Sequence, residues 1–177
     1  SPWRTRDVIE TPLVGLLDVN GWDLAKALRL LVQGNAVIVE WLMSPIVYRG
    51  DAAFRTRLRE VAAEVADRDR VARHYLHLGE RQWTLFARHG GLKKVFYSLR
   101  PAMALRWLRE HPGAAVAPMH LPTLLSQCEL PADFVDSVTE LTALKSRTRE
   151  MGTGAAPEPI AAFITSEFRT ATDTFAT

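Results

Sequence analysis

The chain has 177 residues, 47% hydrophobic and 24% charged, which is globular composition with enough apolar material for one domain, or for one and a fragment of another, and excludes a disordered tail. Ten glycines and ten prolines exclude collagen or linker character, no apolar run reaches the ~18 residues of a membrane helix, and the opening Ser1–Asp7 has no apolar signal core. The lone Cys128 cannot pair internally, which fits a reducing cytosol, and a net charge of +2 from 22 basic and 20 acidic residues selects no partner by bulk charge.

In chain order, Asp7–Pro12 reads as extended, and Leu13–Val19 as a strand ending near Asn20-Gly21. A lone strand is unstable without partners. No strand pattern follows downstream, so the chain is expected to begin partway through a sheet domain. From Trp22 onward the periods are helical. Leu24, Ala27, Leu28 and Leu31 share a face ending at Gly34-Asn35. Val37–Leu42 reads as a short buried helix stopped at Ser44-Pro45. Phe54, Leu58, Val61 and Val65 form the stripe of the next helix. A further helix spans about Arg70 to His89, with Val71, Tyr75, Leu78 and Leu85 on it. Leu92–Glu110 directs Leu92, Val95, Phe96, Leu99, Met103 and Trp107 to a core and stops at His111-Pro112-Gly113. Leu121–Cys128 reads as a short helix. Pro131 and Pro159 open two more, in the first-turn position that suits proline. There is no internal repeat and no low-complexity segment.

The charge distribution says more than the sum. Between Arg81 and Arg109 stand seven basic residues (Arg81, Arg88, Lys93, Lys94, Arg100, Arg106, Arg109) and no acid. A basic stretch in an acidic remainder reads as a site for an anion, against the alternative of a solvated face. Within it lies Gly90-Gly91-Leu92-Lys93-Lys94-Val95-Phe96-Tyr97-Ser98-Leu99-Arg100-Pro101. A glycine pair before a helix N-terminus lets backbone amides approach an anion. Lys93, Tyr97 and Arg100 follow at i, i+4, i+7 on one face, with Lys94 and Ser98 on the adjacent row. Two ammonium groups, a guanidinium, a hydroxyl and a ring suit a polyphosphate with a base or sugar beside it. The same ring inside a basic row also fits a surface for nucleic acid. Pro101 deprives the Tyr97 carbonyl of its usual donor, which favours a kink.

Other candidates are weaker in pattern. Asp18 is a carboxylate on an apolar strand, suited either to Mg²⁺ chemistry or to a turn or helix cap, for which Asn20 and Asp23 compete. His74, His77 and Glu80 could meet on one helix face, but helical metal ligands usually sit at i, i+4; a polar face is the simpler reading. Cys128 reads as a small buried residue, and the five tryptophans as packing. The spacings G-x-x-x-x-G-K-[ST], G-x-S-x-G and G-x-G-x-x-G are absent.

The blocks Arg6–Glu10, Asp18–Leu24 with Lys26–Leu28, Gly34-Asn35, Glu40–Leu42, Ser44–Tyr48, Leu92–Lys94, Leu99–Pro101 and Arg106-Trp107 resemble predicted bacterial nucleotidyltransferases of the DNA polymerase beta superfamily, a group linked by name to RNA repair. That resemblance implies a small mixed sheet carrying Gly-Ser and Asp-x-Asp, a third carboxylate from a later strand, and a helical domain that closes over the nucleotide. Asp18 resembles the third carboxylate, hence a catalytic Mg²⁺ ligand. Lys93, Lys94, Tyr97 and Ser98 resemble the residues that hold the phosphates and pack on the nucleotide, and the face geometry adds Arg100. The sequence has no Gly-Ser followed by Asp-x-Asp. The expectation is therefore a mainly α chain: residues 1–21 the end of a nucleotidyltransferase sheet domain with a remnant strand, residues 22–177 a helical bundle. The complete cytoplasmic protein would move a nucleoside monophosphate from a nucleoside triphosphate to a hydroxyl, with RNA a possible acceptor, and this chain alone would be inactive. The alternative is a non-catalytic helical module binding nucleic acid or protein through its basic face.

Overall fold

The computed structural model describes residues 7–10, 19–147 and 151–175. Two short strands, β1 (Val8–Glu10) and β2 (Asn20–Trp22), precede eight helices among the described residues: α1 (Leu24–Val32), α2 (Ala36–Met43), α3 (Ala52–Val65), α4 (Arg68–His89), α5 (Leu92–Glu110), α6 (Leu121–Gln127), α7 (Ala132–Arg147) and α8 (Glu158–Phe175). The mainly α expectation holds. The strands pair antiparallel, with Val8 opposite Trp22 and Glu10 opposite Asn20. The extended segment expected at the start is therefore the partner of the later strand. Most of the Leu13–Val19 run, with Asp18, lies outside the described residues.

The helix starts follow the sequence chemistry. Asp23, Asn35, Asp51 and Asp67 each accept a backbone N–H from the first turn of α1, α2, α3 and α4, at 2.8, 2.9, 2.7 and 2.9 Å for the shortest bonds. Each thereby satisfies a donor that the helix leaves open. Asp23, rather than Asn20, caps α1. α4 ends on Gly90, whose φ of 63° is the left-handed conformation that a helix end asks of glycine.

α4 and α5 form the central pair, and α8 packs across both. From Val95 to Leu108 every residue of α5 is buried except Tyr97, Arg100 and Arg106. Such a helix has no broad solvent face. α5 runs through Pro101 without a break. Gly79 of α4 makes room there: a Cβ on it would lie 3.0 Å from the Pro101 ring and overlap the Phe168 ring. The stripe expected on α3 is only weakly used. Ala62 is buried, while Phe54 stays 54% exposed and Val65 40% exposed, because α3 packs on α1 and α2 at the rim of the bundle. Trp41 is not simple packing either. It is 43% exposed and stacks on Trp22 at 4.3 Å, tying the hairpin to α2.

Candidate functional site: a cation-rimmed groove beside α5

The acid-free stretch is not free of acids in space. The Arg100 guanidinium meets the Glu40 carboxylate of α2 at 2.5 Å. Arg106 and Arg109 converge on Glu167 of α8, at 2.6 and 2.8 Å, and Arg106 also bonds Glu110 at 3.2 Å. Burial works against the Arg106 charge, but the bonds to Glu167 and Glu110 outweigh it and hold its pKa above the ordinary value. Glu167 is 2% exposed, so this trio is a structural clamp between α5 and α8. Among the described residues, Arg81, Arg88, Lys93 and Lys94 of the stretch have no salt bridge.

The glycine pair has a backbone task. The Gly90 N–H donates to the Phe86 carbonyl at 2.7 Å, the Gly90 carbonyl accepts from Gly154 at 2.8 Å, and the Leu92 N–H donates to Gly152 at 3.1 Å. One amide expected to face an anion is thus already bonded to the segment before α8. This leaves one amide fewer at the start of α5 for an anion.

Of the sequence-predicted nucleotide residues, Tyr97 and Arg100 stand together on the wall of a groove of about 740 Å³ between α5, α7, the connector before α6 and the turn after α2. That volume suits a small organic ligand. Tyr97 is 48% exposed. Lys93 is exposed one turn before Tyr97 on the same row, and Lys94 is half-buried; neither lines the groove. Ser98 is a correction. It is fully buried, turned into the packed side of α5, and its hydroxyl cannot touch a ligand in the groove. Helical spacing put it next to Lys94, but spacing does not reveal that α5 is surrounded.

The rest of the site comes from elements that sequence reasoning left aside. Phe96, Met119, Leu125 and Val138 give apolar walls, and Thr142 and Lys145 of α7 add a hydroxyl and a second cation. The Lys145 ammonium sits over the Phe96 ring at 4.5 Å, a favourable seat for a cation. Among the described residues no Asp or Glu lines this groove. Nothing in the sequence around Lys145, in the last turn of α7, says that it faces Phe96. Beneath Tyr97 and Arg100, a smaller recess of about 110 Å³ includes Glu40. Tyr75 lies next to that pair. Its complete burial, with Glu40 adding to the effect and Arg100 partly offsetting it, pushes its phenol above the ordinary range.

The remaining candidates have structural surroundings. His74 accepts the Ala36 N–H through Nδ1 at 3.2 Å, and its pKa is lowered by burial and by His77. Cys128 is half-buried, and burial followed by the Glu110 charge pushes its thiol up to about 12, which leaves it unreactive at neutral pH. Among the described residues no group of three or more His, Cys, Asp or Glu side chains could hold a metal ion. No helix among them is long and apolar enough to cross a membrane.

Comparison with known proteins agrees with the resemblance in the motifs. Residues 3–177 match the model of the RNA repair pathway DNA polymerase beta family, and the chain belongs to that family. It is also similar to "Uncharacterized protein YcgL" of Bacillus subtilis (strain 168), at 32% identity over 166 residues, covering 93% of this chain and 63% of the relative. The chain thus spans 63% of the length of the curated relative it matches. No solved structure matches it.

Proposed function

We propose that this member of the family supplies the helical, nucleotide-binding part of a nucleotidyltransferase, which moves a nucleoside monophosphate from a nucleoside triphosphate to a hydroxyl acceptor, RNA in the reading we favour. In this proposal residues 1–21 close a sheet domain and residues 22–177 form the helical unit of a cytoplasmic enzyme. Asp18 is one carboxylate of a Mg²⁺ site completed by carboxylates outside this chain, and the chain alone is inactive. The observation that carries the reading is the groove itself: a largely apolar slot, without Asp or Glu among the described residues that line it, with Tyr97, Arg100 and Lys145 on its walls. A base fits such walls, and its phosphates then lie toward Arg100 and the exposed Lys93, with Lys94 adding charge from the adjacent row. Cations aligned on a triphosphate neutralise charge and position it for in-line attack.

The test is calorimetric titration of the chain with each nucleoside triphosphate, with and without Mg²⁺. Saturable binding weakened by Tyr97→Ala and Lys145→Ala is expected. Absence of saturable binding by any triphosphate to the folded chain would sink the nucleotide reading. The second reading is a non-catalytic module holding a polyanion on its basic face. It is favoured by one observation, the four basic residues of α4 and α5 without salt bridges among the described residues. It predicts steep loss of binding with salt and no selection of triphosphates.

A further inference from the structure

The turn from α2 to α3 presents apolar side chains to solvent in a way that folding does not require. Tyr48 is 91% exposed, Val47 51% and Phe54 54%, next to the half-exposed Trp41. Trp41, Val47 and Phe54 line a second groove of about 610 Å³, distinct from the one beside α5, along which Arg49, Arg55 and Arg59 also lie; Tyr48 stands in the same turn, between Val47 and Arg49. The same turn, through Ser44, Pro45 and Ile46, forms one wall of the α5 groove. One five-residue segment, Ser44–Tyr48, therefore separates the two cavities.

The turn is held in place. Arg55 donates to the Leu42 carbonyl at 3.4 Å and to the Ser44 carbonyl, tying off the end of α2. The Ser44 hydroxyl accepts the Ile46 N–H at 3.2 Å. Among the described residues the only acid along the groove, Asp51, is engaged in capping α3. Arg49 and Arg59 are exposed and have no salt bridge among the described residues. Exposed rings interleaved with guanidiniums, with Asp51 the single carboxylate among the described lining residues and already bonded to the start of α3, give the chemistry of a single-stranded polynucleotide: bases stack on the rings while phosphates meet the cations. An apolar protein partner would have no use for the two exposed guanidiniums of Arg49 and Arg59, and a duplex would hide the base faces that the rings can cover.

We propose that this α2–α3 surface binds a single strand of RNA, with bases on Tyr48 and Phe54 and phosphates at Arg49 and Arg59, and that the Ser44–Tyr48 turn leads its end toward the α5 groove. The choice of RNA, and its role as acceptor, rests on the nucleotidyltransferase reading; the stacking surface does not.

The experiment is fluorescence anisotropy of the chain with a labelled single-stranded RNA of about 12 nucleotides, within the usual site size, and with the duplex of the same sequence. Tighter binding to the single strand is expected, weakened roughly tenfold by Tyr48→Ala and by Phe54→Ala, since each removes one stacked base. The double substitution Arg49→Ala/Arg59→Ala should reduce the slope of log K against log salt by roughly 1.4, about 0.7 for each phosphate no longer neutralised. All four side chains are exposed, so helical circular dichroism should stay unchanged and report intact folding. Equal or tighter binding to the duplex, or variants that bind as the wild type does while Lys93→Ala weakens the complex, would overturn the proposal. So would loss of self-association, rather than of RNA binding, in the Tyr48 and Phe54 variants. Triphosphate titrations of the same variants separate the two readings. Retained nucleotide binding without RNA binding removes only this surface, and the converse removes only the α5 groove.

Discussion

Arg100 of α5 and Glu40 of α2 form a 2.5 Å ion pair under the mouth of the α5 groove, with side chains 29% and 17% exposed. The guanidinium that would meet a phosphate thus already has a carboxylate partner. A ligand anion at this position competes with Glu40, and the outcome depends on how the two negative charges share one fork-shaped donor.

Glu40→Gln tests that competition. With the carboxylate neutral, Arg100 is released, and triphosphate affinity should rise a few fold, while stability falls by about 1–2 kcal/mol for a partly buried pair. Arg100→Ala should lower affinity. Titration calorimetry and thermal melts on both variants check the pair of signs. A Glu40→Gln protein that binds as weakly as Arg100→Ala would show that the two act as one unit.

Glu167 is the most consequential acid for stability. At 2% exposure it accepts from both Arg106 and Arg109, and no other carboxylate reaches Arg109 among the described residues. Glu167→Ala leaves two guanidiniums facing a buried gap and should cost about 3–5 kcal/mol, the usual size for removing one partner of a buried pair. Urea unfolding measures it. A loss under about 1 kcal/mol would mean that water replaces the carboxylate.

His74 makes stability depend on pH. Its folded pKa lies below the ordinary 6.5 through burial first and His77 second. The neutral ring, which accepts the Ala36 N–H, is therefore favoured by folding. The contribution is fully present above the unfolded pKa near 6.5 and is lost as pH falls toward the depressed folded value. Melting temperature followed from about pH 8 to about pH 5 should drop more steeply in the wild type than in His74→Gln. Parallel curves would exclude His74 as the source.

Gly79→Ala introduces a methyl where α4 meets Pro101 and Phe168. Phe168 is buried and the proline ring cannot move aside, so the gain in helix propensity should be reversed into a loss of about 1–3 kcal/mol. A melt of the variant decides the sign. Restoration of stability by a second change, Phe168→Leu, would locate the clash.

The helical half of the fold was readable because local rules govern it. Gly34-Asn35, Pro45 and the His111-Pro112-Gly113 stop act within a turn of where they stand, and the Leu92–Trp107 stripe did point inward. What was not readable depends on partners far along the chain. Nothing around Arg100, Arg106 or Arg109 announces Glu40 or Glu167, so a run without acids looked more cationic than the folded surface is. Ser98 looked like a surface neighbour of Lys94 because a helical wheel cannot tell a helix with one covered face from one covered nearly all round. Gly90-Gly91 looked like a ligand turn because the bonds of Gly90 to Gly154 and of the following Leu92 to Gly152 are set by a segment near the other end of the chain. Of the groove, sequence analysis found Tyr97 and Arg100 on one wall. Lys145 and Thr142 on the facing wall had no spacing relation to them.

The stack of Trp41 on Trp22, one residue from Glu40, gives the protein an optical gauge of its own. Two indoles 4.3 Å apart couple electronically, and their near-ultraviolet circular dichroism depends on their angle and separation. Glu40 and Trp41 share one turn of α2, so an anion that draws Arg100 away from Glu40 acts on the segment that carries one of the two rings. Occupancy of the α5 groove should therefore be visible without any label, as a change in that signal that Glu40→Gln abolishes.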